Sequence, residues 1–184
     1  MSKSKLAVSL FILSEANFFA LLIIAYLYFH AYPGEGPTAA TSLNAYRTGI
    51  FSIFLFASSA TMMLASRSYR AKSSAAFGWL IATLVLGGIF LFGQVREYME
   101  LYASGVTANR SLFATTFFTL TGFHGLHVAV GLLAIAAITI LTGVGTLGTS
   151  AREADAFGSV EIYWHFVDGV WVVIFTIVYL WAFL

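Results

Sequence analysis

The sequence predicts an all-α fold, an integral membrane bundle of five transmembrane helices. Three observations carry that expectation. Sixty per cent of the 184 residues are hydrophobic and only 9% are charged, whereas a soluble domain carries about a quarter of its residues as charges. Five apolar stretches, near residues 6–32, 43–66, 75–101, 111–141 and 158–184, each reach the ~20 residues that cross a bilayer as a helix. The connections between them, "PGEGPTAATS", "RSYRAKS", "YASGVTAN" and "GVGTLGTSAREADA", are too short for a soluble unit, so residues 1–184 are expected to form a single transmembrane domain. No internal repeat is visible. The net charge is +1 and there is no basic run, which gives no basis for a nucleic-acid partner. There is no cysteine. This excludes disulfides, thiolate ligands, iron–sulfur clusters and covalent haem attachment through C-x-x-C-H.

The first span opens as "MSKSKLAVSLFILSEANFF". Two lysines before an apolar run resemble a secretory signal. The run is too long for one, it holds Glu15, and no small-residue cleavage site ends it, so a transmembrane helix is expected. Glu15 stands about nine residues into the span, roughly 14 Å at helical rise. A charge at that depth costs at least ~2.5–3.5 kcal/mol, and apolar surroundings favour the neutral acid. Two readings stay open: a carboxyl that handles protons or contacts a partner, and a protonated glutamic acid hydrogen-bonded inside the bundle. His30 closes this span. The third span ends in "GQVREYMELY". There Arg96 and Glu100 form an i, i+4 pair of opposite charge, while Gln94 and Glu97 lie close enough to the apolar run to face inward.

The fourth span carries "TGFHGLHVAVG", with His124 and His127 three residues apart and therefore on one helix face. Both rings could reach one metal. However, no second histidine pair is available, and Gly122, Gly125 and Gly131 favour a close helix crossing with the imidazoles hydrogen-bonding across it. The fifth span carries "VEIYWHFVDGVW". Glu161, Trp164, His165, Asp168 and Trp171 recur at spacings of three and four, a polar-aromatic stripe that must face another helix or a partner. His165 and Asp168 are placed to pair with each other. The stripe reads either as a proton path or cofactor contact, or as buried pairs that fix packing.

Basic residues suggest an orientation. Lys3, Lys5, Arg67, Arg70, Lys72 and Arg152 fall on one side of a five-span protein, and Arg47, Arg96 and Arg110 on the other. Six against three places the N-terminus in the cytoplasm and the C-terminus outside. Tyr26, Tyr28, Tyr32, Trp79, Tyr98, Tyr179 and Trp181 sit near span ends and suit the membrane interface.

Four stretches together, "ILSEANFF", "GQVREYM", "TGFHGLHVAVG" and "YWHFVDGVW", resemble the cytochrome c oxidase subunit III family of the haem–copper oxidases. They occur on separate spans in family order, so the resemblance covers nearly the whole chain. It is similar to the short five-span bacterial form, which lacks the two spans that precede the Ser-Glu helix in the long form. The resemblance implies a subunit of the bacterial plasma membrane without redox centres of its own, the haem and copper lying in oxidase subunits I and II. It implies packing against subunit I near the mouth of a proton-uptake path, support for turnover, cytochrome c as donor to the complex, and contact with membrane phospholipids. It implies buried-carboxyl or proton-related roles for Glu15, Glu97 and Asp168. It implies structural, partner or lipid contacts for Gln94, Tyr98, His124, His127, Trp164, His165 and Trp171, and no metal ligand or catalytic residue in this chain. The Ser14–Glu15 pair leans towards the cytochrome c type, since quinol-type relatives tend to carry Asp at the matched place. The alternatives are the third subunit of a quinol oxidase, a relative associated with nitric oxide reductase, a small proton-coupled transporter, and a stand-alone membrane cytochrome.

Overall fold

The computed structural model describes residues 3–31, 38–109, 111–145 and 151–181. It is all helical, and five of its helices are long and apolar enough to cross a membrane. They are α1 (Lys3–Ala31), α3 (Ala45–Arg70), α4 (Ala75–Ala103), α5 (Leu112–Gly143) and α6 (Ala151–Phe175); a short helix α2 (Ala39–Ser42) precedes α3, and one π-helical turn, Thr176–Leu180, extends α6.

The helix ends follow local chemistry. Asn44 Oδ1 accepts from the Arg47 amide (3.0 Å) and Ser111 Oγ from the Ala114 amide (3.0 Å), each capping one of the free N–H groups at a helix start. Just past the end of α4 stands Gly105, whose φ of 79° is open to a residue without Cβ. The Gly105 amide reaches the Tyr102 carbonyl and the Val106 amide the Leu101 carbonyl, so two otherwise unpaired carbonyls are satisfied in a Schellman arrangement. All four connections are shorter than the sequence suggested; α2 takes residues 39–42 of the first, and α4 runs on to Ala103 in the third. "RSYR" belongs to α3, and residues 151–156 are already helical in α6, because Ala, Arg and Glu favour helix and water can solvate their outer turn.

Helices α3 and α4 form the tightest antiparallel hairpin; α5 packs on α4, α6 packs on α3 and α5, and α1 lies outside against α5 and α6. Helix α1 is accordingly the most exposed span, with Leu10, Leu13, Leu21 and Ile24 facing outward and Phe19 and Tyr26 buried. The expected aromatic belt divides. Tyr28, Trp79 and Trp181 are exposed, but Tyr26 and Tyr179 are buried and pack into the bundle. Tyr32, both prolines and Arg110 lie outside the described residues, as do the side chains of Lys3, Lys5 and Arg152.

At the centre is Trp164 of α6, with 0% of its surface exposed. A Cβ on Gly87 of α4 would come within 3.0 Å of its ring, and one on Gly131 of α5 within 2.7 Å. The indole is therefore clamped between two helix backbones, while its Nε1 donates to Ser58 Oγ of α3 at 3.1 Å. One side chain joins four of the five long helices.

Candidate functional site

The polar side chains singled out from the sequence gather into three clusters. The first joins α1 to α5. Glu15 Oε2 lies 2.9 Å from His127 Nε2, and the pair is mostly buried, with 21% and 13% of the two side chains exposed. The other ring nitrogen, Nδ1, is 2.7 Å from the Phe123 carbonyl. A carbonyl oxygen only accepts, so Nδ1 carries a hydrogen. Exactly one further proton then lies between Nε2 and Oε2, held by the acid or by the ring. Tyr163 Oη of α6 donates to the His127 carbonyl at 3.1 Å, and Phe19 sets its ring edge against the imidazole at 4.9 Å. No basic residue stands within a turn of Glu15 on α1; its basic neighbour comes from α5.

His124, one turn away, does something different. It is fully buried and neither ring nitrogen has a hydrogen-bond partner among the described residues. Its ring stacks on Trp171 (centroids 4.9 Å apart, 23° between planes) and meets Phe90 and Phe19 at 6.0 and 6.4 Å. The expected hydrogen bond across the helix crossing is absent for His124, because aromatic rings line its surroundings. The glycines do mark close crossings. A Cβ on Gly125 would come within 2.8 Å of the Gln94 amide.

The second cluster is the α6 stripe laid against α3. Glu161 accepts from Ser66 Oγ (2.6 Å) and from Arg70 (3.0 Å). Trp164 donates to Ser58, and Trp171 Nε1 donates to Ser52 Oγ at 2.8 Å. His165 Nδ1 meets Ser59 Oγ at 2.6 Å. The expected His165–Asp168 pair does not form: both carboxylate oxygens of Asp168 are buried without a partner among the described residues, and His165 is turned to Ser59. Tyr69 and Phe157 close the far end, stacked at 4.5 Å. The α3 partners, Ser52, Ser58, Ser59 and Ser66, are the residues that sequence reasoning missed. Their signal was present as hydroxyls recurring along one face of an otherwise apolar helix, which reads as packing until the donors opposite them are known.

The third cluster lies where α3 starts and α4 ends. Glu97 accepts from Thr48 Oγ1 (2.8 Å) and Tyr179 Oη (2.7 Å), one hydroxyl on each oxygen. Gln94 Nε2 donates to the Thr121 carbonyl at 2.6 Å, and Tyr98 Oη is 2.6 Å from Thr121 Oγ1. Gln94, Glu97 and Tyr98 therefore all turn inward. Arg96 reaches Glu100 at 3.4 Å as its spacing suggested, but Glu100 is also gripped by both terminal nitrogens of Arg47 from α3. Among the described residues, no three histidine, cysteine or carboxylate side chains converge in a metal-binding group.

The four motifs thus lie on four packed helices, and their polar side chains meet across helix boundaries. The family model for Cytochrome c oxidase subunit III matches residues 1–183. The chain belongs to the cytochrome c oxidase subunit III family. Relatives span both donor types. A Cytochrome c oxidase subunit 3 of Synechocystis sp. is 40% identical over 94% of this chain and 73% of its own length. A Probable cytochrome c oxidase subunit 3 of Mycobacterium tuberculosis is 36% identical over 90% of this chain and 82% of its own. A Cytochrome bo(3) ubiquinol oxidase subunit 3 of Pseudomonas aeruginosa is 31% identical over 93% of this chain and 81% of its own. As a member of this family the chain is a membrane subunit of a haem–copper respiratory oxidase, with other oxidase subunits as its partners.

Proposed function

We propose that this chain is the non-redox third subunit of a bacterial cytochrome c oxidase, packed against subunit I and sustaining its stability and proton uptake. The observation that carries the reading is the family match across residues 1–183. The mutual docking of the Ser-Glu helix and the two-histidine helix through Glu15 and His127 supports it. In this reading the haem and copper, and the reduction of oxygen, belong to subunits I and II. The chain spans the inner membrane with its N-terminus in the cytoplasm, and phospholipid covers its outer helices.

The side chains hold the helices together. Two opposite charges in apolar surroundings carry a large desolvation penalty, so we assign Glu15 and His127 as a neutral pair, the acid O–H donating to Nε2. Such a pair holds α1 on α5 and keeps one exchangeable proton at mid-depth. Glu97 is a partly buried carboxyl fixed by two hydroxyls, and Asp168 is a buried one. Trp164 and Trp171 pin α6 to α3, and Gln94, Tyr98, His124 and His165 fix the remaining helix contacts.

A second reading, the third subunit of a quinol oxidase, is favoured by the likeness to the Pseudomonas aeruginosa ubiquinol oxidase subunit. Oxygen consumption by the purified complex separates the two. Turnover with reduced cytochrome c but not with quinol fits the first reading, and the reverse establishes the second.

A further inference from the structure

Helix α1 carries two heptad seams, and the bundle uses one of them. Glu15, Phe19, Leu22 and Tyr26 recur at spacings of four, three and four. They face α5 and α6, with Phe19 and Tyr26 buried and Glu15 on His127. On the other side Leu10, Ser14, Asn17, Leu21, Ile24 and Tyr28 recur at four, three, four, three and four. At 3.6 residues per turn this second seam points directly away from the first. All six of its residues are exposed, Leu21 to 68% and Ile24 to 61%. Lipid tails cover leucine and isoleucine well. They do not serve Asn17, the middle residue of the 29 in α1 and so close to mid-bilayer. Its Nδ2 donates one hydrogen to the Leu13 carbonyl at 2.8 Å, as Ser14 Oγ does to the Phe11 carbonyl at 2.8 Å. The second N–H of Asn17 and its Oδ1 have no partner among the described residues, on an exposed side chain. The hydrocarbon region offers them no water, so a neighbouring helix is what can satisfy them.

A side-chain amide is its own complement, since the N–H of one meets the Oδ1 of another and the reverse. Two copies of the chain cross a membrane in the same orientation. Their α1 helices then run parallel, and their Asn17 side chains lie at one depth. A different protein would have to bring both a donor and an acceptor to that depth, whereas a second copy does so by symmetry. A single Asn in a heptad seam also fixes its register, and a 3.5-residue period suits a left-handed crossing of about +20°. We propose that two copies of this chain pair through the outer seam of α1, about a two-fold axis along the membrane normal, with Asn17 on Asn17. The pairing joins two oxidases side by side. It goes beyond the proposed function, being a contact between complexes and not within one, and it is independent of which donor the oxidase uses.

The test is photo-crosslinking in native membranes, followed by purification of the complex through a tag on this chain. A photoreactive benzoylphenylalanine in place of Leu21 captures whatever lies beside the seam, and mass spectrometry of the adduct identifies it. The control carries the same group in place of Leu133 on α5, which is 72% exposed. A dimer of this chain from position 21, and none from position 133, supports the pairing. In a second arm two differently tagged copies are co-expressed, and recovery of one through the tag of the other is measured. Asn17→Leu should lower that recovery at least tenfold, while Asn17→Gln, which keeps donor and acceptor, should retain most of it. Haem co-eluting with both variants shows that the oxidase is assembled, which separates lost pairing from a lost place in the complex. Should Asn17→Leu fail to assemble, the adduct from position 21 decides. An adduct there with another subunit or with lipid alone, or recovery indifferent to Asn17→Leu, overturns the proposal.

Discussion

Replacing Glu15 distinguishes a neutral pair from an ion pair. His127 Nδ1 is committed to the Phe123 carbonyl, and Nε2 faces Glu15 Oε2 at 2.9 Å. If the acid donates to a neutral ring, Glu15→Gln keeps a donor, since the amide NH2 reaches the same nitrogen. Glu15→Leu removes it and strands a buried acceptor. Intramembrane hydrogen bonds average about 0.6 kcal/mol and reach about 1.7, while an unsatisfied buried polar group costs about 1–3 kcal/mol. Glu15→Gln should therefore cost less than ~1 kcal/mol and Glu15→Leu about 1–3. At 1.4 kcal/mol per tenfold, the leucine variant loses roughly five- to 150-fold in its folding equilibrium. The assay is reversible unfolding of the chain in mixed micelles titrated with a denaturing detergent, read by tryptophan fluorescence. In a His127→Leu background the gap between the two variants should close. Glutamine costing as much as leucine would refute the neutral pair, because removing the carboxylate of an ion pair leaves the imidazolium uncompensated whichever residue replaces it.

Gly131→Ala should destabilise by about 1–3 kcal/mol through overpacking, because the added Cβ meets an indole already held by Gly87 and Ser58. Gly88→Ala, with nothing within 4 Å of its Cβ, serves as the neutral control in the same unfolding assay, and equal effects would show that Trp164 has room to move. Gln94→Leu should cost about 0.5–1.5 kcal/mol by removing the hydrogen bond that joins α4 to the Thr121 carbonyl of α5; hydrogen exchange along α5 should quicken around that residue. Arg47→Gln should shift stability by no more than about 1 kcal/mol, since the Arg47–Glu100 pair is substantially exposed and solvent screens such pairs. That small effect should shrink further as salt is raised.

The five spans were legible because apolar length and composition alone specify a membrane helix, and the family was legible because its motifs are local. The partnerships were legible only in part. Arg96 and Glu100 meet because i, i+4 neighbours on one helix must. Glu15 with His127, Trp171 with Ser52, and His165 with Ser59 rather than Asp168 depend on helix rotation and depth, which a one-dimensional pattern does not carry. Buried Tyr26 and Tyr179 make the same point. Position near a span end says how deep a tyrosine sits, and only packing says whether it faces lipid or its neighbours. The α3 serines look inert until the indoles and the imidazole of α6 are set against them.

The most direct test is purification in mild detergent through a tag on this chain, followed by an optical spectrum and an oxygen-reduction assay. Haem and copper should co-elute, oxygen should be reduced, and the Soret band should leave with the partner subunits when they are stripped away. A colourless preparation of this chain alone, or a Soret band that stays with it after its partners are removed, would contradict its place as the non-redox third subunit.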